Sequence, residues 1–151
     1  MPCTDRPLTS EERAEITRQM GIGLKKIGAD RAVAPTQEKL QELIGQSIES
    51  YRKLGRQLSD STLQNMSKCL GCLWGQVICD EFGWTWALIK NDEGAEQCGV
   101  VTPNRSHAVY PLQFVHDLLA GSSPETGSLP LYHRILTGQI PASKERAYLA
   151  L

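Results

Sequence analysis

The chain has 151 residues, which suits a single domain. Its 16 Lys/Arg and 17 Asp/Glu leave a net charge of −1, so the basic surplus typical of nucleic-acid-binding proteins is absent. No apolar run approaches the roughly 20 residues of a membrane-spanning helix, and residues 1–15 lack the apolar core of a secretion signal. The five cysteines are an odd number, which favours reduced thiols. We therefore expect a cytoplasmic protein that binds neither nucleic acid nor membrane.

The segment LTSEERAEITRQMGIGLKKIG predicts the first helix. Thr9 and Glu12 have the spacing of a capping box, in which each side chain satisfies a free backbone donor of the other residue. Gly28 is suited to end the helix. Gly21 and Gly23 weaken its middle, because glycine is a poor helix former. We therefore expect a bend or break there.

The segment TQEKLQELIGQSIESYRKLG predicts a second helix that begins at Pro35 and Thr36 and ends at Gly55. Its apolar residues recur at helical spacing, so one face should be buried. These residues are Leu40, Leu43, Ile44, Ile48, Tyr51 and Leu54.

The segment SDSTLQNMSKCLGCLWGQVICDEFG predicts a third helix, from a cap at Ser59 or Asp60 to Gly83. A wide apolar stripe accompanies a second stripe of small residues, Ser67, Gly71 and Gly75. Each interior glycine costs about 1 kcal/mol relative to alanine. Close approach of another backbone would compensate this cost, so we expect this helix to be central.

The periodicity then changes from helical to alternating. The segment WTWALIK predicts a half-buried strand, NDEG a hairpin loop, AEQCGVVTP a second strand and HAVYP a short third strand. Pro111 begins a helix that ends at Gly121, and LPLYHRILTG predicts a short last helix. The remaining tail is expected to add at most a helical turn.

Taken together, these elements predict an α+β fold, in which N-terminal helices pack on a three-stranded antiparallel meander that C-terminal helices follow. We expect one domain over residues 1–151. Its parts are the N-terminal helices (1–58), the central helix with the hairpin sheet and the next helix (59–121), and the last helix with the tail (122–151).

Residues ~63–120 resemble a bacterial family that is catalogued as a domain of unknown function. The likeness rests on a glycine-punctuated helix, a Gly-Trp-x-Trp strand start, a hairpin and a proline that opens a helix. Here these features are Leu70, Gly71, Gly75, Gly83, Trp84, Trp86, Gly94 and Pro111. The resemblance implies no catalytic residue. Small α+β domains of this kind are also similar in type to immunity proteins, which neutralise bacterial toxins.

Cys69 and Cys72 form a CxxC pair, which suggests either a thiol site or small buried residues. A redox pair normally lies at a helix N-terminus, where the helix dipole lowers a thiol pKa. This pair falls well inside the third helix, and a structural zinc site would need a second ligand pair. We therefore expect no metal and no cofactor, and interpret both cysteines as packing residues.

Acidic residues are concentrated in the middle of the chain. Residues 69–128 contain two Lys/Arg and seven Asp/Glu, a net charge of −5. Within this block we select five carboxylates as the candidate contacts with a basic protein partner. They are Asp80, Glu81, Asp92, Glu93 and Glu96. Asp80 and Glu81 are notable because the C-terminal end of a helix is unfavourable for anions.

The sequence contains no GxxxxGK[ST], GxGxxG, HExxH or GxSxG motif. We therefore expect a non-enzymatic cytoplasmic binding module, of the immunity-protein type, whose partner is a basic-faced toxin domain encoded nearby. Two alternatives stay open. One is a metal- or thiol-dependent enzyme that uses Cys69 and Cys72, with His107 as a further ligand or base. The other is a self-associating structural protein.

Overall fold

The computed structural model describes residues 3–29, 36–54, 57–123, 125 and 127–151. These residues form an α+β fold, as predicted. The helices are α1 (Ser10–Lys26), α2 (Gln37–Leu54), α3 (Asp60–Phe82), α4 (Pro111–Ala120) and α5 (Leu129–Leu136). The strands are β1 (Thr4–Arg6), β2 (Thr85–Lys90), β3 (Glu96–Val101), β4 (His107–Val109) and β5 (Leu149–Ala150).

The sheet has five strands in the order β1–β2–β3–β4–β5, so the predicted three-stranded meander was wrong. The three predicted strands, β2, β3 and β4, form the centre of this sheet. Trp86 of β2 pairs with Val100 of β3, and Val101 of β3 pairs with Ala108 of β4. The segment before α1 adds antiparallel β1, with Asp5 opposite Ile89. The tail adds β5, which runs parallel to β4. The tail was expected to add at most a helical turn, but the backbone amides of Leu149 and Leu151 donate to carbonyls of Ser106 and Ala108 instead.

Helix α3 is the central helix of the fold, as predicted. Ser59 caps its start by accepting a hydrogen bond from the Thr62 amide, and Gly83 ends it with a φ of 73°. A positive φ at this position suits glycine, which has no Cβ to clash. Eleven of the helix residues are buried. They are Met66, Ser67, Cys69, Leu70, Gly71, Cys72, Leu73, Trp74, Gly75, Val77 and Ile78.

The small-residue stripe of α3 lies against neighbouring elements, which confirms the predicted close approach. A Cβ at position 71 would lie 2.9 Å from the Leu112 Cα at the start of α4. At position 75 it would lie 2.5 Å from the Trp86 ring of β2. Both distances are shorter than a carbon contact of about 3.5–4.0 Å. The two glycines therefore set the distance from α3 to α4 and to the sheet.

Helix α1 begins with the predicted capping box: the Thr9 hydroxyl accepts from the Glu12 amide at 3.1 Å, and the Glu12 carboxylate accepts from the Thr9 amide at 2.8 Å. The helix runs without a break from Ser10 to Lys26, so a break at Gly21 and Gly23, one of the two expected outcomes, was wrong. At Gly23 the helix closely approaches α3.

Helix α2 follows its predicted apolar pattern, and Ile44 and Ile48 are buried. The Thr36 hydroxyl accepts a hydrogen bond from the Lys39 amide at 3.1 Å, as a helix cap would. The predicted boundaries at Pro35 and Gly55 lie outside the described residues. The buried face also includes Gln41, which no apolar pattern predicts.

Both faces of the sheet are covered. Trp86, Val100 and Val109 belong to the main core with the helices. On the opposite face, a smaller core contains Ala87, Ile89, Val101, Ala108 and Tyr148, with Cys3 and Tyr110 packed at its margin. Strand β2 is therefore buried on both sides at its centre, not half-buried as predicted. Within the described residues, no helix is long and apolar enough to cross a membrane.

Candidate functional site

The five candidate carboxylates lie at two ends of the sheet. Asp80 and Glu81 belong to the last turn of α3, immediately before β2 begins. Asp92 and Glu93 lie in the hairpin loop at the other end of β2, and Glu96 begins β3. A six-residue strand is about 20 Å long. The structure therefore separates these residues into an α3-end pair and a hairpin group.

The α3-end pair combines one exposed and one partly buried carboxylate. Asp80 is exposed and accepts a hydrogen bond from the Gln76 amide at 2.7 Å. Gln76 in turn accepts from the Trp86 indole at 3.0 Å. Glu81 points to α5, where its Oε1 accepts from the Tyr132 hydroxyl at 2.9 Å. Only Asp80 of this pair is fully available to a partner.

The Asn91 side chain holds the hairpin loop in place through bonds to the loop backbone. The Asn91 side-chain oxygen accepts hydrogen bonds from the amides of Glu93 and Ala95, at 3.0 and 2.9 Å. This arrangement leaves the Asp92 and Glu93 side chains exposed. Glu96 differs, because its carboxylate lies 3.4 Å from the Arg6 guanidinium.

One cation lies beside the hairpin group, because Lys90 ends β2 and its Cε would lie 3.9 Å from a Cβ at Gly94. Among the described residues, Asp80, Asp92 and Glu93 form no ion pair. The last turn of α3 contains no basic residue, so the negative end of its dipole is not neutralised by its own sequence. Both ends of β2 therefore present negative charge to solvent.

The CxxC pair lies in the core. Cys69 and Cys72 are 1% and 3% exposed, and both are free thiols. Burial raises the pKa of Cys69, and burial with nearby thiols raises the pKa of Cys72 to about 12. A thiol of this kind is a poor nucleophile, because the reactive species is the thiolate. In the part of the chain that the structure describes, no three His, Cys, Asp or Glu side chains gather as metal ligands.

His107 acts as a connector in the fold. Its Nε2 lies 2.6 Å from the Pro141 carbonyl oxygen and therefore donates to it, while Nδ1 lies 2.8 Å from the Ser106 hydroxyl. Since a carbonyl only accepts, the neutral ring carries its proton on Nε2 and accepts from Ser106. His107 thus ties the tail to β4. Among the described residues its ring nitrogens bond to Ser106 and Pro141, and not to Cys69 or Cys72.

A second polar cluster joins β1 to the tail. The Asp5 carboxylate accepts from the Tyr148 hydroxyl at 2.5 Å and from the Arg105 guanidinium at 3.2 and 3.4 Å. Burial alone would raise the pKa of Asp5, but these hydrogen bonds outweigh it and leave the pKa below its ordinary value of 3.8. Burial and the bond to Asp5 raise the pKa of Tyr148 to about 12. Asp5 is therefore ionised and bonded in the folded state.

The structure also contains buried polar side chains that the sequence did not single out. We refer to Gln37 and Gln41 of α2, Glu81 of α3, and Ser128 and Tyr132 at the start and middle of α5 together as the polar seam. Gln41 and Ser128 are fully buried. Several buried polar atoms have no hydrogen-bond partner among the described residues. They are both side-chain amide atoms of Gln41, the Ser128 hydroxyl, the Glu81 Oε2 and the Gln37 Oε1.

Energetics make the seam unusual. A buried polar group without a hydrogen-bond partner costs about 1–3 kcal/mol, so a glutamine side chain is rarely fully buried. The only hint in the sequence is Gln41, a polar residue at a position where helical spacing requires an apolar one.

A cleft in the described surface lies beside Ser128. Its volume is about 480 Å³, and it separates α2 from the segment that leads into α5. Gly45 and Ser128 lie on its inner side, and the charged residues Glu42, Glu49 and Lys53 lie around it. A Cβ at Gly45 would lie 3.5 Å from the Ser128 hydroxyl oxygen, so the two segments are in contact at this point.

Comparisons with known proteins bear on the fold alone. No protein-family model matches the chain, and no curated protein matches it. A crystal structure from Bacteroides thetaiotaomicron VPI-5482, at 1.50 Å resolution, matches with a TM-score of 0.64 and 14% sequence identity. The match covers 91% of this chain and 48% of that chain, so this chain spans about half the length of that protein. At this identity the likeness shows a shared fold.

Proposed function

We propose that this protein is a non-enzymatic binding module that docks its exposed carboxylates onto a basic surface of another protein. Its activity would be that of an immunity protein, which binds and neutralises a bacterial toxin in the cytoplasm. The observation that carries the proposal is that Asp80, Asp92 and Glu93, at the two ends of β2, are exposed and form no ion pair among the described residues. Complementary charge favours fast and specific association.

The separation of the two acidic groups is compatible with one interface. A standard interface buries about 800 Å² on each partner, which corresponds to a patch roughly 30 Å across. The ~20 Å length of β2 fits inside such a patch. Cations of a partner near Asp80 would also neutralise the unfavourable end of the α3 dipole.

The proposal is tested with the genes that adjoin this one. We expect one neighbour to arrest growth when it is expressed alone, and co-expression of this protein to restore growth. The two purified proteins should form a complex of fixed stoichiometry. Neighbours that are harmless alone and form no such complex would refute the immunity role.

Charge reversal tests the contacts. We expect Asp80→Lys and a double Asp92→Lys/Glu93→Lys variant each to weaken binding about tenfold, or ~1.4 kcal/mol, with a smaller loss at high salt because salt screens exposed charges. Glu145→Lys is the matched control, since Glu145 is an exposed acid of the tail without an ion pair in the described ranges. Unchanged affinity in both variants would refute the acidic contacts.

The two alternative functions have their own measurements. A metal-dependent enzyme would yield stoichiometric metal on elemental analysis of the purified protein. A thiol-dependent enzyme would need a reactive Cys69 or Cys72, which their burial and raised pKa values oppose. A self-associating protein would scatter light as a dimer or larger species at micromolar concentration.

A further inference from the structure

The turn from α3 to β2 brings two aromatic rings together. Gly83 ends the helix with a φ of 73°, a backbone conformation that suits glycine. On either side of it, the rings of Phe82 and Trp84 lie with their centroids 6.2 Å apart and their planes tilted by 48°. Aromatic rings attract each other at centroid distances of about 4.5–7 Å. Phe82 and Trp84 therefore form one continuous surface, which we call the aromatic pair.

The aromatic pair lies partly in solvent. Trp74 and Trp86 are 0% and 7% exposed, whereas Phe82 and Trp84 are both partly exposed. Their inner sides pack against the main core, so the two rings are held at the surface with little freedom to move. Tryptophan is among the residue types most enriched at protein–protein binding hot spots.

One carboxylate is connected to the aromatic pair through α5. The Phe82 ring lies 6.0 Å from the Tyr132 ring, and the Tyr132 hydroxyl donates to the Glu81 carboxylate at 2.9 Å. Tyr132 is only 1% exposed. Glu81 therefore adds negative charge behind the pair, where it supports the field at the surface without direct contact to a partner.

The second carboxylate is exposed and is connected to β2. Asp80 accepts from the Gln76 side-chain amide at 2.7 Å, and Gln76 accepts from the Trp86 indole at 3.0 Å. Trp86 belongs to the main core, and Trp84 packs against the same core, so both tryptophans lie on the helix side of the sheet. The hydrogen-bond chain thus holds Asp80 on the side of β2 where the aromatic pair lies.

Aromatic rings beside carboxylates favour a guanidinium group. A cation within about 6 Å of a ring centroid is attracted to the face of the ring, most strongly by tryptophan. The planar guanidinium of arginine stacks on an aromatic ring and donates several N–H groups to a carboxylate, whereas the lysine ammonium is a compact, strongly hydrated charge. The hairpin loop, residues 91–95, contains no aromatic residue, so it provides charge without this selectivity.

We propose that the turn from α3 to β2 is a recognition site for an arginine side chain of the protein partner. The guanidinium stacks on the aromatic pair, and the Asp80 carboxylate accepts its N–H groups. This inference rests on the proposed binding function and names the chemistry that one of the two acidic groups recognises. The hairpin group contributes only electrostatic attraction.

The first test needs no identified partner. A capped tetra-arginine peptide and a capped tetra-lysine peptide have equal charge, and each is titrated into the isotope-labelled full-length protein while NMR shifts are recorded. The arginine peptide should bind about two- to fivefold more tightly, and its largest shifts should include the Trp84 indole. Equal affinities for the two peptides, or shifts confined to the hairpin loop, would overturn the proposal.

Matched substitutions locate the preference for arginine. Trp84→Leu keeps an apolar side chain but removes the ring, so it should bind both peptides alike, whereas Trp84→Phe should retain part of the preference. The double variant Asp92→Asn/Glu93→Gln is the control, and it should weaken both peptides by the same factor. A preference that survives in Trp84→Leu, or that is lost in the control, would contradict the assignment. If circular dichroism shows that Trp84→Leu does not fold, the exposed Asp80→Asn variant takes its place, and an unchanged preference there has the same meaning.

The complex with the product of a neighbouring gene separates this inference from the proposed function. Where such a complex forms, Trp84→Leu should weaken it about two- to fivefold, and an unchanged affinity would overturn the arginine site while the immunity role stands. Where no neighbouring product binds, the immunity role fails. The peptide titrations then decide by themselves whether the turn recognises arginine.

Discussion

Gly21 and Gly23 provide a sharp test of the packing of α1. They lie two residues apart in the same helix, and both are interior positions. A Cβ at Gly21 would meet nothing within 4 Å, whereas a Cβ at Gly23 would lie 2.6 Å from the Cys69 carbonyl oxygen and 3.3 Å from the Leu73 Cβ. The same substitution to alanine should therefore have opposite effects at the two positions.

The magnitudes follow from two opposing contributions. Alanine stabilises a helix interior by about 0.5–1 kcal/mol relative to glycine, and this is the whole expected effect of Gly21→Ala. At Gly23 the added methyl meets the backbone of α3, which cannot rotate away as a side chain could. Overpacking of this kind costs about 1–3 kcal/mol, so Gly23→Ala should be destabilised by a net ~1–2 kcal/mol.

Urea unfolding followed by circular dichroism measures both variants. With urea m values of about 1–3 kcal/mol/M, the two midpoints should differ by roughly 1 M, with the wild type between them. Equal slopes would show that only stability has changed. If both substitutions stabilise the protein, the close approach of α1 to α3 is wrong, and if both destabilise it, helix propensity has been misjudged at Gly21.

Three further predictions concern other parts of the fold. Thr9→Ala should lower stability by about 1 kcal/mol through the lost helix cap, whereas Thr9→Ser should restore most of it in the same urea assay. Asp5→Asn should destabilise the protein at neutral pH by about 1–3 kcal/mol, because it removes the ionised acceptor of three hydrogen bonds, one from Tyr148 and two from Arg105. Since folding lowers the pKa of Asp5, this stabilisation is present above pH 3.8 and is lost as the pH falls through the folded pKa. The unfolding free energies of wild type and variant should therefore converge in acid. A constant difference between them down to pH 2 would contradict the assignment. Cys72 should resist a thiol reagent at pH 8 in the native state and react fully in urea, because burial raises its pKa to about 12; rapid native labelling, mapped by mass spectrometry, would revive the thiol-dependent alternative.

Local sequence signals predicted the elements that depend on local physics. The capping box of α1, the cap at Ser59 and the left-handed glycine at Gly83 each satisfy backbone groups within one turn, so the sequence alone contains the necessary information. The small-residue stripe of α3 also predicted correctly that other elements approach it closely.

The errors arose where distant segments decide the structure. Strands β1 and β5 contain three and two residues, too few for any periodicity to be visible. Each forms only because a partner strand elsewhere in the chain supplies hydrogen bonds. The same holds for the second core, since Tyr148 covers Ala87 and Ile89 across the sheet and thereby hides the alternation expected of β2.

The candidate site shows the same division. The predicted elements already placed Asp80 and Glu81 before β2 and Asp92 and Glu93 after it, and the structure agrees. The sequence groups Glu81 with Asp80 as a candidate partner contact, yet Glu81 bonds to Tyr132 while the adjacent Asp80 lies in solvent. Adjacent helix residues point about 100° apart, so one of such a pair can be buried while the other is exposed.

The short outer strands have a consequence for how the protein behaves at high concentration. A long, flat sheet edge recruits further strands and promotes aggregation. In the described part of the chain, both edges of this sheet are brief: β1 is followed by Pro7, and β5 starts after Tyr148, whose φ of 48° is incompatible with an extended strand. The outermost strands therefore offer an incoming chain only three and two residues to pair with, which limits strand addition at β1 and β5.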